Sequence, residues 1–299
     1  MGRKPLKIAL LSRFKKSAQY RIYFSYYRWL RARKIKKMKP FELPAKKDDL
    51  LPDLVFVVQT SDIPLLHWSL RSMCQCESVR GNLVLIGDTD ASVKALTKHF
   101  NFLKDIEILS GEKLVNDLPV EIQRILAKWR ASRPFGGYAK KFGATLALNL
   151  KRSFILSDAD VLWHQSAWSD LLHSLGNGEK VVASEDVQPA FDPQTDDLLE
   201  GSSVYASKPL NCGFIYYPER SLIDHWKSTD TVVIEGLAEK AHSHLEQTII
   251  AKLAGRGGLS LFPITLVETS QNDIFCFTGQ TLGKIRHYAG AKDLFWRDV

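Results

Sequence analysis

The strongest constraint on the fold of this chain is an alternation of short apolar runs with longer helical patterns. The run Leu54-Val-Phe-Val-Val58 is rich in β-branched residues and is typical of a strand buried on both faces. Similar runs occur at 82–87, 106–109, 153–156, 180–183 and 213–217. Helical patterns lie between most of them, starting at Pro64 and covering 91–100, 120–129, 138–150 and 237–253. Because strands joined through helices form βαβ units, we predict a single α/β domain with a mainly parallel sheet.

Positive charge is concentrated in the N-terminal segment, residues 1–50. This segment holds 16 Lys and Arg against 3 acidic residues, whereas the rest of the chain holds 25 basic and 30 acidic residues. Tyrosines, Phe24 and Trp29 are interleaved with the charges, and the absence of Gly and Pro between Ser17 and Lys37 predicts a helix. We therefore divide the chain into a basic, aromatic extension, 1–50, and an α/β domain, 51–299.

Three explanations for the N-terminal segment stay open. Aromatic rings flanked by Lys and Arg suit the headgroup layer of an anionic membrane, where each basic residue contributes about 1 kcal/mol. Alternatively, the helix packs on its own domain and its aromatic rings belong to the core. Nucleic-acid binding is the third explanation. We expect no nucleic-acid partner, because residues 51–299 carry a net negative charge and so do not extend the basic surface of residues 1–50.

The composition is typical of an intracellular protein. No run approaches the roughly 20 consecutive apolar residues of a transmembrane span, and the basic start lacks the apolar region of a secretory signal. Four cysteines, Cys74, Cys76, Cys212 and Cys276, are few enough to indicate reduced thiols. We expect a cytoplasmic protein, peripheral on the cytoplasmic face of a membrane if segment 1–50 is an anchor.

The motif that most clearly indicates chemistry is Ser157-Asp-Ala-Asp160, directly after the run 153–156. Two carboxylates two positions apart, where a strand opens into a loop, can both reach Mg²⁺ or Mn²⁺. Proteins hold these cations with one or two carboxylates, phosphate oxygens and water. An Asp-x-Asp is also common in plain turns. The P-loop and dinucleotide-binding signatures are absent, so we expect neither of those modes of nucleotide binding.

Further motifs accompany the Asp-x-Asp in a fixed order. They are Tyr138-Ala-Lys-Lys141 before it, and Val181–Asp186, Asn211-Cys-Gly213, Glu246-Gln247 and His287-Tyr-Ala-Gly290-Ala-Lys292 after it. Over residues 53–296 this order resembles retaining sugar-nucleotide glycosyltransferases of the GT-A fold. Within that group the order most resembles glycosyltransferase family 8, which includes glycogenin and bacterial lipopolysaccharide galactosyl- and glucosyltransferases. The resemblance implies a Rossmann-like GT-A domain that moves a hexose from a nucleotide diphosphate sugar, in first place a UDP-sugar, to a glycan or lipid-linked acceptor.

The resemblance also implies roles for individual residues. The implied ligands of Mn²⁺ or Mg²⁺ are Asp158, Asp160 and His287, and the imidazole favours Mn²⁺. The residues implied in nucleotide-sugar binding are Thr60, Lys141, Asp158, Gly290 and Lys292. The residues implied at the reacting sugar are Asn211, Glu246 and Gln247. The cation and Lys292 would stabilise the diphosphate leaving group, and a carboxylate or amide oxygen would stabilise the oxocarbenium-like sugar.

Three positions depart from the family pattern. Thr60 stands where the family has an acidic residue that contacts the base, one residue fewer separates Gly290 from Lys292, and Glu246 replaces an Asp. We take the polar stretch 187–203 as a solvated loop. Two other functions stay open, namely a sugar-nucleotide hydrolase on the same fold and a non-catalytic protein that binds membrane surfaces through residues 1–50.

Overall fold

The computed structural model describes residues 18–132, 134–201, 204, 209–270, 283–289 and 292–299, and only the backbone of residues 18–24 and Lys46. The strands are β1 (Lys46–Lys47), β2 (Asp53–Val58), β3 (Val79–Arg80), β4 (Leu83–Gly87), β5 (Ile106–Ser110), β6 (Phe154–Ser157), β7 (Val161–Trp163), β8 (Val181–Glu185), β9 (Leu210–Tyr217), β10 (Leu259–Leu261), β11 (Val267–Thr269) and β12 (Ile285–His287). The α-helices are α1 (Ala18–Lys36), α2 (Ile63–Cys76), α3 (Asp90–His99), α4 (Gly111–Leu114), α5 (Val120–Ala131), α6 (Gly136–Asn149), α7 (Trp168–Leu175), α8 (Pro193–Leu198), α9 (Ser228–Ala238), α10 (Leu245–Gly257) and α11 (Lys292–Asp298).

Seven strands form the central sheet, in the order β10-β8-β9-β6-β2-β4-β5. Strand β2 pairs in parallel with β4 and β6, β4 pairs in parallel with β5, and β8 with β10. Only β9 runs against its neighbours, β6 and β8. The predicted α/β class with a mainly parallel sheet is therefore confirmed. Strand β6, which leads into the Asp-x-Asp motif, lies in the middle of this sheet.

Both faces of the central sheet are covered, as the uninterrupted apolar composition of its strands requires. Along β2, Leu54 and Phe56 belong to one hydrophobic core and Val55 to the other, following the two-residue period of a strand. Helices α5, α6, α9 and α10 pack in the core of Val55, and α2, α3, α7 and α11 in the core of Leu54. Burying each large aliphatic side chain contributes about 1.5–3 kcal/mol, so these two cores hold the strand ends in place.

A second, three-stranded sheet has the order β11-β12-β7, and the sequence did not predict it. Strand β12 runs antiparallel to β7, with His287 opposite Val161. The backbone N–H of Tyr288 then donates to the carbonyl oxygen of Asp160 at 3.0 Å. This pairing brings the C-terminal motif directly beside the Asp-x-Asp motif.

The described part of the N-terminal segment packs on the α/β body. Tyr27 on α1 is buried, and the guanidinium of Arg31 lies 5.9 Å from the centre of the Trp296 ring on α11. Further along, Phe41 packs edge-on against the ring of His67 at 5.1 Å, and β1 pairs in parallel with β3. Among the described helices, including α1, none is both long enough and apolar enough to cross a membrane.

Two local predictions were wrong. The predicted helix 237–253 is divided into α9 and α10 by a turn. In that turn Nδ1 of His242 accepts a hydrogen bond from the backbone N–H of His244, at 3.3 Å, in competition with helical bonds. The described part of the stretch 187–203 is also more than a solvated loop. It contains α8, whose Asp196 is buried 2.8 Å from the ammonium of Lys252.

Candidate active site

A cavity of about 330 Å³ opens at the carboxyl ends of β2, β4 and β6. Its wall includes Gln59 after β2, Asp88 after β4, and Asp158 and Asp160 after β6. Asp62 and Leu65, Pro134, Tyr138 with its neighbours on α6, and the first residue of α11 also line the cavity. Ligands of open α/β sheets bind at this edge, and the volume is within the range of small-molecule sites.

Asp158, Asp160 and His287 form one cluster at the β6 end of the cavity. One potential ligand atom of each residue lies within 4.8 Å of those of the other two. Nε2 of His287 is 3.4 Å from Oδ1 of Asp160 and 3.7 Å from Oδ2 of Asp158. Two carboxylates and an imidazole are a donor set that suits Mn²⁺. The residues present therefore fit a divalent cation.

Asp160 and His287 stabilise each other's charged forms. Burial raises the pKa of Asp160, but the hydrogen bond and the charge of His287 outweigh burial, and the pKa of Asp160 is lowered. Burial lowers the pKa of His287, but the hydrogen bond to Asp160 and the charges of both aspartates outweigh it, and the pKa of His287 is raised. The cluster thus attracts positive charge, and a bound divalent cation would take the place of the imidazolium proton.

Gly213 on β9 makes room for the His287 ring. A Cβ atom added to Gly213 would overlap Cε1, Nδ1 and Nε2 of His287. The carbonyl oxygen of Gly213 also accepts a hydrogen bond from the backbone N–H of Asp158 at 2.7 Å. One glycine therefore positions two of the three candidate ligands. The sequence motif around Gly213 was visible in advance, but this contact was not.

Lysines lie on both sides of the cluster. The ammonium of Lys141 is 2.6 Å from Oδ1 of Asp158. The ammonium of Lys292 is 3.9 Å from Oδ2 of Asp160, and its side chain, 53% exposed, lines the cavity. Lys140 pairs instead with Asp88 at 3.3 Å. The structure thus brings Lys141, rather than the adjacent Lys140, to the Asp-x-Asp motif.

Glu246 at the start of α10 is a buried carboxylate, 4% exposed. Burial raises its pKa to about 7; the charge of Lys141 opposes this shift and that of Asp158 adds to it. Within the described structure its Oε1 is buried without a hydrogen-bond partner. Because an unpaired buried oxygen is unfavourable, this atom indicates a place for a hydrogen-bond donor of a ligand.

Asp186, after β8, organises the two predicted amide residues. Its Oδ2 accepts hydrogen bonds from Nδ2 of Asn211 at 3.1 Å and from Nε2 of Gln247 at 3.4 Å. Gln247 also donates to the carbonyl oxygen of Ala190 at 3.2 Å. Sequence reasoning noted the Val181–Asp186 motif but gave Asp186 no role. The sequence did contain a signal for such a role, namely an aspartate that ends this motif shortly after a predicted strand.

The structure brings most of the predicted site residues to one edge of the sheet. These are Lys141, Asp158, Asp160, Asn211, Glu246, Gln247, His287 and Lys292. Thr60 is placed differently, because it begins a short 3₁₀ helix, donates to or accepts from the hydroxyl of Ser92 at 3.2 Å, and is not among the described residues that line the cavity. Gly290 lies outside the described residues.

Comparison with known proteins identifies the fold. No protein-family model and no curated protein sequence matches the chain. Among solved structures, mouse xyloside xylosyltransferase 1 in its apo form is similar with a TM-score of 0.55 and 13% identity, over 81% of this chain and 99% of that chain. The galactosyltransferase LgtC in complex with donor and acceptor sugar analogs is similar with a TM-score of 0.50 and 13% identity, over 80% of this chain and 87% of that chain. The chain thus has the GT-A glycosyltransferase fold that the order of its motifs predicted.

Proposed function

We propose that this protein is a divalent-cation-dependent, retaining glycosyltransferase. It moves a hexose from a nucleotide diphosphate sugar, in first place a UDP-sugar, to a glycan or lipid-linked acceptor. The observation that carries the proposal is the cluster of Asp158, Asp160 and His287 at the end of a cavity in a GT-A fold. One similar structure was solved with donor and acceptor sugar analogs, which supports both kinds of ligand for this fold.

The β6 end of the cavity is built to receive a diphosphate. Asp158, Asp160 and His287 would hold Mn²⁺ or Mg²⁺, which when bound supplies Lewis-acid stabilisation of the leaving group. The exposed ammonium of Lys292 stabilises the negative charge that develops as the bond between the sugar carbon and the phosphate oxygen breaks. Lys141 forms an ion pair with Asp158 and so orients that carboxylate. No proton transfer to the diphosphate is required.

The residues on the sugar side supply oxygen atoms to an electron-poor ring. Because Asp186 and Ala190 engage the amide nitrogen of Gln247, Oε1 is the atom that Gln247 offers to the sugar. Asn211 uses Oδ1 to accept from Gly213 at 2.8 Å and retains one N–H for a sugar hydroxyl. An ionised Glu246 stabilises oxocarbenium character at the transferred carbon.

The test is calorimetric titration of UDP, with GDP alongside, in the presence and absence of Mn²⁺. We expect tight binding only with Mn²⁺, and Asp160→Ala should lose at least about tenfold in affinity because it removes a ligand of the cation. Asp197→Ala, at an exposed carboxylate on α8, is the control and should bind as the parent does. Circular dichroism checks that Asp160→Ala is folded.

Two outcomes would contradict the proposed function. If neither diphosphate binds with or without Mn²⁺, the Asp-x-Asp is only a turn and the non-catalytic alternative is favoured. If a UDP-sugar is consumed as fast without an acceptor as with one, the protein is a hydrolase rather than a transferase.

We also propose that this enzyme works on the cytoplasmic face of an anionic membrane. Tyr26, Trp29, Arg33 and Lys36 recur at helical spacing on α1 and are all exposed, Tyr26 by 51% and Trp29 by 52%. We call these four residues the α1 stripe. Tyr and Trp with Arg and Lys on one surface suit a layer of anionic headgroups. No acidic residue lies on α1 to oppose this attraction.

A further inference from the structure

Under the proposed function, on which this inference rests, some group must recognise the base of the donor. Residues 59–61, which directly follow β2, include no acid. Four carboxylates occur among the described residues that line the cavity, namely Asp62, Asp88, Asp158 and Asp160. Asp158 and Asp160 belong to the cation cluster, and Asp62 lies 3.7 Å from the ammonium of Lys292. Asp88 is the one of these four carboxylates that belongs neither to the cation cluster nor to the ion pair with Lys292; its partner is Lys140.

The position of Asp88 suits the base of a bound nucleotide. It follows β4, which is separated from β6 by a single strand, β2. Because neighbouring strands lie about 4.8 Å apart, the ends of β4 and β6 are about 10 Å apart. A nucleoside diphosphate whose phosphates lie beside Lys292 spans a comparable distance through its ribose to its base. The backbone N–H of Asp88 donates to the carbonyl oxygen of Val58 at 3.1 Å, which fixes the residue at the end of β2.

The carboxylate of Asp88 is held firmly and still has acceptor capacity. Oδ1 accepts hydrogen bonds from the hydroxyls of Ser92 at 2.5 Å and Thr89 at 3.4 Å, and Oδ2 accepts one from the ammonium of Lys140 at 3.3 Å. Each carboxylate oxygen has two lone pairs, so one on Oδ2 remains for a ligand. Ser92 and Lys140 are therefore positioning residues for this carboxylate. Asp88 itself lines the cavity, whereas Lys140 and Ser92 are not among its described lining residues.

We propose that Asp88 recognises the donor's base by accepting a hydrogen bond from a ring N–H that is flanked by a carbonyl group. Uracil offers this group at N3. Cytosine at N3 and adenine at N1 present a lone pair instead, which the negative carboxylate repels. Guanine offers a comparable N–H at N1, and titration of GDP distinguishes the two bases. A hydrogen bond to a charged group corresponds to about a tenfold to hundredfold difference in affinity.

The experiment measures binding of UDP, N3-methyl-UDP, CDP and GDP with Mn²⁺ to the full chain and its variants. The parent should bind UDP at least about tenfold more tightly than N3-methyl-UDP and CDP. Asp88→Ala should bind UDP and N3-methyl-UDP nearly equally, and Asp88→Asn, which keeps the shape but loses the charge, should retain part of the difference. Asp90→Ala is the matched control, because Asp90 is exposed two residues further on, and it should discriminate as the parent does.

The outcomes separate this inference from the proposed function. If the parent binds UDP with Mn²⁺ but Asp88→Ala keeps the full discrimination against N3-methyl-UDP, Asp88 does not recognise the base and the proposed function stands. If the parent binds no nucleotide, both fail. If GDP binds more tightly than UDP and Asp88→Ala removes that preference, Asp88 recognises guanine. An unchanged affinity for Mn²⁺ alone in Asp88→Ala excludes general damage to the site as the cause.

Discussion

At the scale of single residues, the candidate active site depends on one position without a side chain. Gly213 contributes no chemistry, but the imidazole of His287 occupies the space that a Cβ atom would fill there. Its carbonyl oxygen holds the backbone of Asp158. A residue that looks like part of a strand motif therefore decides whether His287 can approach Asp158 and Asp160.

Gly213→Ala should lower Mn²⁺ affinity at least about tenfold, because the new methyl group displaces His287 from the two aspartates. Isothermal titration with Mn²⁺ measures this effect. Gly236→Ala is the control, because a Cβ there meets nothing within 4 Å. On helix α9 that substitution should raise the free energy of unfolding by about 0.5–1 kcal/mol and leave Mn²⁺ binding unchanged. Equal Mn²⁺ affinity for both variants would show that His287 is not a ligand.

At the scale of elements, helix α1 has one exposed side and one side packed against α11, the helix that begins at Lys292 of the candidate site. One side of α1, with Tyr27 buried, packs against α11, whose first residue is Lys292. The other side carries the α1 stripe. Removing the whole segment 1–50 would thus disturb α11 as well as the proposed membrane surface, so substitutions within the stripe give the cleaner test.

Trp29→Ala with Arg33→Ala should weaken binding to vesicles of phosphatidylserine and phosphatidylcholine by about tenfold, because both an interfacial ring and a positive charge are lost. Cosedimentation at low and high salt measures this. The control is Val232→Ala with Lys240→Ala, which removes an exposed apolar residue and an exposed base elsewhere. Equal binding by the two double variants, or equal binding of the parent to vesicles without phosphatidylserine, would argue against a membrane role for α1.

At the scale of the whole molecule, the candidate site reduces the stability of the fold. The pKa of Glu246 is about 7 in the folded chain against 4.5 for the ordinary side chain. Between these values the folded state binds more protons than the unfolded state, so stability falls as the pH rises. The loss is absent below about pH 4.5 and complete above about pH 7. It amounts to roughly 3 kcal/mol, because the residue is 4% exposed and solvent screens it little.

Glu246→Gln should therefore be more stable than the parent by up to about 3 kcal/mol at pH 8 and by much less at pH 4.5. Urea unfolding in the absence of divalent cations measures the difference at both pH values. Glu121→Gln, at an exposed carboxylate on α5, should leave stability unchanged at both. If Glu246→Gln gains nothing at pH 8, the side chain is ionised without penalty in the folded chain.

Much of the fold was predictable because burial on both faces leaves a direct trace in composition. Strands such as β2 and β4 consist almost entirely of apolar residues, and their boundaries fall within a residue or two of the predicted runs. The three-stranded sheet was not predictable in this way. Its strands β7, β11 and β12 have three residues each, which is too short for a periodic pattern to appear.

The sequence by itself determined that this chain forms an α/β domain and that Asp158 and Asp160 follow a buried strand, because both depend on residues close together in the chain. Composition and spacing could not determine which distant groups meet those aspartates, and His287 was implied only by the family resemblance. The approach of His287 depends on the pairing of β12 with β7, and its fit depends on the space at Gly213. The position of Asp88 likewise follows from the order of β6, β2 and β4 in the sheet. Only the tertiary structure decided these contacts, because the pairing of strands depends on long-range packing and hydrogen bonding rather than on local sequence pattern.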